Sequence, residues 1–335
     1  MSTYLILIIL LALAFDYING FHDAANSVAT VVSTRVLSPQ VAVAWAAAFN
    51  FIAFVVYPSH VSASIAKGIA LTAITYNVIF ATLLGAIIWN LLTWWWGLPS
   101  SSSHALMGAF AGAALTNTPD WKILDTAVFG RTLAFILLAP MLGMALGFLF
   151  MRLVRVLFRN ARPRTVSRVF RRGQLVSAAL YSLGHGGNDA QKTMGIITLL
   201  LITAGLQEKG AHPEPKFWVV LVCQAAMGLG TLSGGWRIVK TMGMKITKLK
   251  PVGGFCAETA GATTLALATF LGVPVSTTHT ITGSIVGVGS AERGPHAVRW
   301  GVAGRIVWAW IFTIPAAAAM ASLSYLLTRA ISGTS

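Results

Sequence analysis

Long apolar runs separated by short polar breaks make up almost the whole chain. The runs cover roughly residues 3–34, 40–58, 76–96, 104–116, 124–151, 173–205, 216–233, 254–271, 279–290 and 298–328. An apolar run of about 20 residues is long enough to cross the hydrocarbon core of a bilayer as a helix. The strict alternation of a membrane β-barrel is absent, and lipid requires the backbone to satisfy its own hydrogen bonds, so the pattern predicts an all-α polytopic membrane protein.

Polar residues interrupt the first and the sixth runs, and the two interruptions resemble each other. They span residues 16–27 and 184–193. Four positions of the first recur in the second at the same spacing: Gly20, Asp23, Ala24 and Ser27 match Gly186, Asp189, Ala190 and Thr193. Glycine-containing breaks in corresponding positions of two halves are typical of secondary transporters, and they predict a broken helix in each half.

A proline-hydroxyl motif also occurs twice, at residues 98–108 and 273–283. Pro99, Ser101, His104 and Gly108 of the first copy match Pro274, Ser276, His279 and Gly283 of the second. Proline suits the first turn of a helix and Ser or Thr caps its free N–H groups, so each motif is expected to begin a helix after a turn. Two such N-termini are suited to an anion. The predicted anion ligands are Ser101, Ser102, Ser103, Ser276, Thr277 and Thr278. The alternative is that these hydroxyls only cap their helices or bond to nearby carbonyls.

The matched motifs divide the chain into two homologous repeats, residues 1–151 and 173–335, joined by a basic linker at 152–172. We expect each proline-hydroxyl motif to be the tip of a re-entrant helical hairpin, about residues 76–116 in the first repeat and 254–290 in the second. Each repeat would then contain transmembrane helices, a broken helix and one hairpin.

Charge predicts the orientation of the two repeats. The linker contains eight arginines and no acid, and residues 236–250 contain five basic residues, so both are expected to be cytoplasmic. The matching loop of the first repeat, 59–68, has only Lys67. The repeats are therefore expected to be inverted, with both termini outside. The net charge of +15 comes with arginines and lysines clustered in these loops, which argues against a nucleic-acid partner.

Four of the nine acids, Asp16, Asp23, Asp189 and Glu258, fall inside apolar runs. Each costs about 2.5–3.5 kcal/mol at a membrane helix centre on insertion scales, and intramembrane acids are functional by default. We predict that Asp23 and Asp189 bind a coupling cation or proton, together with carbonyls of unwound backbone, and that Glu258 closes the site. The amides predicted to assist are Asn26, Asn188 and Gln191. The alternative is that the two aspartates cap the half-helices that follow them.

The remaining polar residues in apolar runs have weaker support. His104 and His279 could donate to the anion or shuttle protons, or be structural. Lys192 could pair with Asp189 or the anion, or reach the membrane interface. Asp16 lacks an acidic counterpart. Cys223 and Cys256 lie in apolar runs and are expected to be free. Neither a structural metal site nor a nucleophile–base pair appears, so we predict neither an enzyme nor a cofactor.

At these motifs the sequence resembles the inorganic phosphate transporter (PiT) family. The residues that carry the resemblance are 20–27, 98–104, 187–193 and 273–279. It implies symport of inorganic phosphate with Na⁺ or H⁺, and in some bacterial members uptake of a neutral metal–phosphate complex. It also implies phosphate at the two hydroxyl motifs, the cation beside the aspartates, and a homodimer. His22 stands where the family usually has Asn, and Asn50 about where animal members carry a membrane Glu; both leave H⁺ coupling open beside Na⁺.

The sequence thus predicts a low-affinity phosphate symporter of a bacterial inner membrane that works by alternating access. One alternative is a symporter of sulfate or another tetrahedral oxyanion. Another is an anion channel, whose flux would follow voltage without needing a cation gradient.

Overall fold

The computed structural model describes residues 2–208, 210 and 213–332, and its regular secondary structure there is helical. The first half contains α1 (Thr3–Ser33), α2 (Pro39–Phe51), α3 (His60–Lys67), α4 (Tyr76–Trp96), α5 (Ser102–Asn117) and α6 (Thr126–Leu157). The second half contains α7 (Pro163–Thr203), α8 (Phe217–Ser233), α9 (Trp236–Lys245), α10 (Pro251–Phe270), α11 (Thr277–Arg293) and α12 (Trp300–Ser332). Short 3₁₀ turns lie at Ile52–Val55, Leu71–Ala73, Trp121–Ile123 and Pro295–Ala297.

The order of elements in α1–α6 is repeated in α7–α12. A long helix is followed by a helix with a sharply bent continuation, then by two helices joined through a proline-hydroxyl motif, then by another long helix. The bend is 79° between α2 and α3 and 67° between α8 and α9. By length and composition, four described helices can cross a membrane, namely α1, α4, α6 and α12, or up to six if each bent pair is one span.

Packing between the halves is reciprocal. Helix α5 packs against α12 and α11 packs against α6, while α1 packs against α8 and α7 against α2. Each contact therefore has a counterpart in which the two halves exchange roles. Such exchange is the pattern that a two-fold relation between similar units produces.

Two apolar clusters lie on either side of a polar band in the core. One cluster takes residues of α1 up to Phe15 and residues of α7 from Ala190 onward. The other takes α1 from Ala25 onward and α7 at Ala178 and Tyr181. The polar stretches of α1 and α7 fall between the clusters, and the two helices run in opposite directions past them. The repeat-matched aspartates are thus held at the middle of the molecule.

Glycines allow the second helix of each motif to approach the other half very closely. A Cβ added at Gly283 or Gly287 of α11 would lie 2.1 or 2.0 Å from a backbone oxygen of α6. In the other half, a Cβ at Gly108 or Gly112 of α5 would lie 2.5 or 2.4 Å from a backbone oxygen of α12. Small residues spaced four apart let membrane helices pack backbone to backbone. We call the two contacts the glycine crossings; they fix the helices that begin at the two motifs.

The predicted broken helices are wrong, because α1 and α7 are continuous through residues 16–27 and 184–193. The glycines serve close approach rather than unwinding: a Cβ at Gly20 would lie 2.2 Å from the oxygen of Met227, and one at Gly186 would lie 2.4 Å from the oxygen of Asn50. A continuous helix also keeps its backbone hydrogen bonds satisfied inside an apolar core. The expected carbonyls of unwound backbone are therefore absent, and Asp23 and Asp189 do not cap half-helices.

The non-helical connection between the two halves is shorter than the predicted basic linker at residues 152–172. Helix α6 continues to Leu157 and α7 begins at Pro163, so residues 158–162 alone connect the two halves outside these helices. Most of the linker arginines lie on the ends of long helices.

Candidate functional site

Both proline-hydroxyl motifs form a turn followed by a capped helix, as predicted. The preceding helices end near Gly97 and Gly272, whose φ values of +64° and +68° turn the chain sharply. Ser101 then caps α5, its Oγ accepting from the N–H of His104 at 3.2 Å. Ser276 caps α11 in the same way, accepting from the N–H of His279 at 3.2 Å. The capping interpretation is therefore correct for Ser101 and Ser276.

The two tips meet inside the protein. The imidazole rings of His104 and His279 lie edge to face with centroids 4.7 Å apart, and Ser103 Oγ donates to the carbonyl of Val275 at 3.0 Å. All six predicted anion ligands are at most 3% exposed. Two helix N-termini with hydroxyl side chains thus converge in one buried region, where their free N–H groups favour negative charge.

Helices α1 and α7 bring amide and acidic side chains to these tips. Asn26 of α1 donates from Nδ2 to the hydroxyls of Thr277 and Thr278 at 3.1 and 2.9 Å. The Thr277 hydroxyl donates to Asp189 Oδ2 at 3.2 Å. The ammonium group of Lys192 contacts both the Asp189 carboxylate and the Ser103 hydroxyl. The structure therefore joins the predicted anion ligands to the predicted cation ligands in one hydrogen-bonded network.

His22 joins Asp23 to the first tip. Its Nδ1 lies 2.6 Å from Asp23 Oδ1, and its Nε2 lies 3.1 Å from the Thr93 hydroxyl and 3.4 Å from the Ser100 hydroxyl. The ring is 1% exposed, so this pair is shielded from water. Sequence analysis missed Thr93 because it lies before the motif, and missed Ser100 because its counterpart in the second copy is Val275.

Asp23, Asp189 and His185 form the one cluster among the described residues that could hold a metal ion. One ligand atom from each lies within 4.8 Å of the other two, and all three side chains are buried. Asp189 Oδ2 lies 3.4 Å from His185 Nε2, and the Ser27 hydroxyl lies 3.2 Å from His185 Nδ1. Two carboxylates and an imidazole can hold a cation. His185 was not among the predicted site residues, although its position four residues before Asp189 places both on one helix face.

Several buried polar atoms near the tips have no hydrogen-bond partner among the described residues. They include Ser102 Oγ, Asn26 Oδ1 and both ring nitrogens of His104. Buried polar groups are normally paired, so such atoms mark where a ligand or water belongs. Ser102 and His104 offer donors to an anion, whereas Asn26 Oδ1 offers an acceptor to a cation. Asp16 is buried in α1 and interacts electrostatically with Asp189 and Lys192.

Other predicted residues hold the elements in place. Asn188 donates to the Thr269 hydroxyl at 3.0 Å and accepts from the Val275 N–H at 3.3 Å, which fixes the second tip. Gln191 accepts from the N–H groups of Val61 and Ser62 and so ties α7 to α3. Asn50 donates to the Thr231 hydroxyl at 2.9 Å. His279 stacks on Trp310 with ring centroids 3.7 Å apart. These contacts place Gln191 and Asn50 in helix packing and not at the tips.

Glu258 also lies away from the paired aspartates in the hydrogen-bond network. Its carboxylate accepts from Thr30 at 2.6 Å, from Gln174 at 2.9 Å and from Ser177 at 2.5 Å. These donors come from α1 and α7, so Glu258 fastens both helices to α10. The contacts favour a structural role over the predicted closure of the cation site.

Replacing Glu258 with Gln tests that role. The amide nitrogen cannot accept from the surrounding donors, so we expect a loss of about 1–3 kcal/mol of stability, seen as a lower thermal unfolding midpoint in detergent. The exposed Glu214 gives a matched control, and Glu214→Gln is expected to leave the midpoint unchanged. An unchanged midpoint in Glu258→Gln together with lost cation-dependent phosphate binding would instead place Glu258 in the cation site.

Comparison of the chain with known proteins identifies related sequences and a related structure. Residues 19–321 match the model of the phosphate transporter family. A probable low-affinity inorganic phosphate transporter of Rhizobium meliloti (strain 1021) is 57% identical over 319 residues, covering 95% of this chain and 94% of that protein. Another, of Bacillus subtilis (strain 168), is 45% identical and covers 97% of each chain.

A solved structure is also similar. It is described as the sodium-dependent phosphate transporter, and it superposes with a TM-score of 0.88 at 25% identity, covering 98% of this chain and 100% of that one. These similar proteins are named as transporters, in agreement with the prediction that the chain is not an enzyme. With its several apolar helices, the chain is a multi-pass membrane protein and belongs to the phosphate transporter family.

Proposed function

We propose that this protein is a secondary active symporter that imports inorganic phosphate together with a coupling cation, Na⁺ or H⁺, by alternating access. One observation carries the proposal: both proline-hydroxyl tips and Asp189 lie in one buried hydrogen-bonded network. Asp23 lies beside it, with a carboxylate oxygen within 4.8 Å of Asp189 and a bond to His22, which contacts Ser100 of the first tip. An anion site and a cation site that share hydrogen bonds allow each ligand to stabilise the other, which is the basis of coupled transport.

The phosphate is proposed to bind between the N-termini of α5 and α11. The hydroxyls of Ser102, Ser103, Thr277 and Thr278 and the free N–H groups of both helices replace its hydration shell. Ser102 Oγ and the two ring nitrogens of His104 have no hydrogen-bond partner among the described residues, so their donors are available to phosphate oxygens. Burial strengthens these hydrogen bonds relative to the same contacts in water.

The coupling cation is proposed to bind between Asp23, Asp189 Oδ2 and His185. These groups supply carboxylate oxygens and an imidazole nitrogen within reach of one ion. A positive charge there offsets the charge of phosphate beside it, which makes joint entry less costly than entry of the anion alone. The similar solved transporter is described as sodium-dependent, which supports cation coupling here. The His22–Asp23 pair keeps H⁺ as the other candidate.

The membrane arrangement is proposed to be two inverted repeats with both termini outside and the basic loops 152–172 and 236–250 in the cytoplasm of a bacterial inner membrane. The antiparallel course of α1 and α7 and the reciprocal packing of the halves support the inversion. Helices α5 and α11 have 16 and 17 residues, fewer than the about 20 that usually cross a bilayer, which supports re-entrant hairpins at 76–116 and 254–290. A homodimer is proposed from the family resemblance.

Uptake of labelled phosphate into proteoliposomes tests the proposed function. We expect uptake to be driven by an inward Na⁺ or H⁺ gradient at zero membrane potential and to continue in the presence of excess sulfate. Full inhibition by sulfate would identify a broader tetrahedral oxyanion symporter. Flux that follows voltage and ignores both gradients would identify an anion channel and overturn the proposal. Parallel assays with and without Mg²⁺ show whether a metal accompanies phosphate.

A further inference from the structure

Lys192 is a basic residue that lies inside the core, where it is 2% exposed. Its Nζ donates to Asp189 Oδ1, to the Ser103 hydroxyl and, at 3.1 Å, to the carbonyl of Val275. These three oxygens come from α7, from the N-terminal turn of α5 and from the second tip. A carboxylate, a hydroxyl and a carbonyl around one positive charge are the kinds of oxygen ligand that a hard cation takes in proteins.

The matching position in the first repeat carries no charge. Asn26 stands there and donates to Thr277 and Thr278 of the second tip. Asp23, which matches Asp189, is paired with its neighbour His22 and not with residue 26. The two matched aspartates therefore have different partners: Asp189 is paired with a lysine of its own helix, whereas Asp23 is paired with His22.

We propose that the Lys192 ammonium group occupies a monovalent-cation position of the second repeat and serves there as a tethered cation. It binds Asp189 Oδ1, Ser103 and Val275 at the place a free ion would take, and it leaves Asp189 Oδ2 facing Asp23 and His185 for the mobile cation. The inference rests on the proposed symport and specifies its charge balance. Two aspartates and one lysine leave room for one transported positive charge beside the anion.

The other ionisable groups around Lys192 agree with this assignment. Asp16 of α1 and His104 of α5 interact with it electrostatically but do not contact its ammonium group. Asp189 is thus the one acid bonded to Lys192 among the described residues. Removing the lysine leaves a buried carboxylate without its partner, a strongly unfavourable state unless another cation fills the space.

Chemical rescue of Lys192→Ala tests the proposal. Purified variants in detergent are assayed for equilibrium binding of labelled inorganic phosphate and for thermal unfolding, in methylammonium chloride or in choline chloride at equal ionic strength. Loss of a group that holds a ligating carboxylate lowers affinity about 10- to 100-fold, which is the decrease expected for Lys192→Ala in choline. Methylammonium supplies the missing ammonium group. For Lys192→Ala, we expect phosphate affinity to be about tenfold higher in methylammonium than in choline, and the unfolding midpoint to be higher as well.

Two controls make the rescue specific. Asn26→Ala at the matching position is expected to weaken phosphate binding equally in both salts, since it removes no cation. Asp189→Asn combined with Lys192→Ala removes the carboxylate as well, and is expected to show no methylammonium effect. If Lys192→Ala does not fold, Lys192→Ser, which also leaves space for the methylammonium ion, replaces it in the assay.

Equal affinity and equal midpoints of folded Lys192→Ala in the two salts would overturn the tethered-cation assignment. Wild-type protein that binds no phosphate in any salt would instead refute the proposed function, so the two failures are distinguishable.

Discussion

Asp23→Asn is expected to reduce phosphate uptake by a factor of about 100 or more while the protein still inserts and folds. The substitution keeps the size of the side chain and removes its charge, which leaves the cation cluster with Asp189 and His185 alone. It also deprives His22 of the carboxylate 2.6 Å from its Nδ1. Truncating one partner of a buried charge pair costs about 2–5 kcal/mol of binding free energy, and about 2.7 kcal/mol corresponds to a 100-fold loss.

The measurement is uptake of labelled phosphate into proteoliposomes with matched amounts of folded protein, verified by size-exclusion chromatography. Asp120→Asn makes the same chemical change at an exposed residue in the connection between α5 and α6 and is expected to transport normally. Wild-type uptake by Asp23→Asn would remove Asp23 from the mechanism.

Gly287→Ala is expected to have the largest effect on assembly, because a single methyl group there meets a backbone atom. The added Cβ would lie 2.0 Å from the oxygen of Met144 at the glycine crossing of α6 and α11. The helices must separate to accommodate it, and α11 carries the second tip at its N-terminus. Overpacking typically costs 1–3 kcal/mol, and a clash with backbone is expected to cost about 3 kcal/mol or more.

Thermal unfolding in detergent measures this loss, and Gly304→Ala is the matched control. Gly304 lies within α12, and a Cβ there meets nothing within 4 Å. Because alanine favours a helix over glycine by about 0.5–1 kcal/mol, Gly304→Ala is expected to be neutral or slightly stabilising. Equal unfolding midpoints for the two variants would show that α6 and α11 are not packed as closely at Gly287 as the structure indicates.

The repeated motifs predicted which residues would meet. Helix starts at Ser101 and Ser276 follow from proline and hydroxyl chemistry that is local in sequence, so the turns and caps could be predicted without tertiary information. The contact of Asn26 with Thr277 and Thr278 could not be predicted in the same way, because it joins two halves of the chain and depends on how they pack. Motif repetition therefore indicated the two halves of the site more reliably than it indicated their exact contacts.

Glycine was the source of the main error. Gly20 and Gly186 suggested broken helices, since glycine weakens a helix. Their actual role is to admit the backbones of Met227 and Asn50, which lie in other helices and are invisible to a local pattern. His185 was missed for a different reason: its counterpart in the first repeat is Asn19, so the comparison of the two repeats gives no matched pair at this position.

The role of Lys192 could not be chosen from the sequence either. Pairing with Asp189, contact with the anion and escape to the membrane interface were all compatible with a lysine one helical turn after an aspartate. Packing against Ser103 and Val275 of the two tips decides among them, because it surrounds the ammonium group with oxygens and leaves 2% of the residue exposed.

The most direct test of the shared anion and cation site is equilibrium binding of labelled phosphate to the purified protein while Na⁺ and pH are varied independently. Linkage requires that a cation bound beside phosphate raise phosphate affinity, by about 5-fold or more for a typical coupling free energy. We predict such an increase with Na⁺ or with H⁺ for the wild-type protein, and its disappearance in Asp23→Asn. Phosphate affinity that is identical at every Na⁺ concentration and pH would contradict the account.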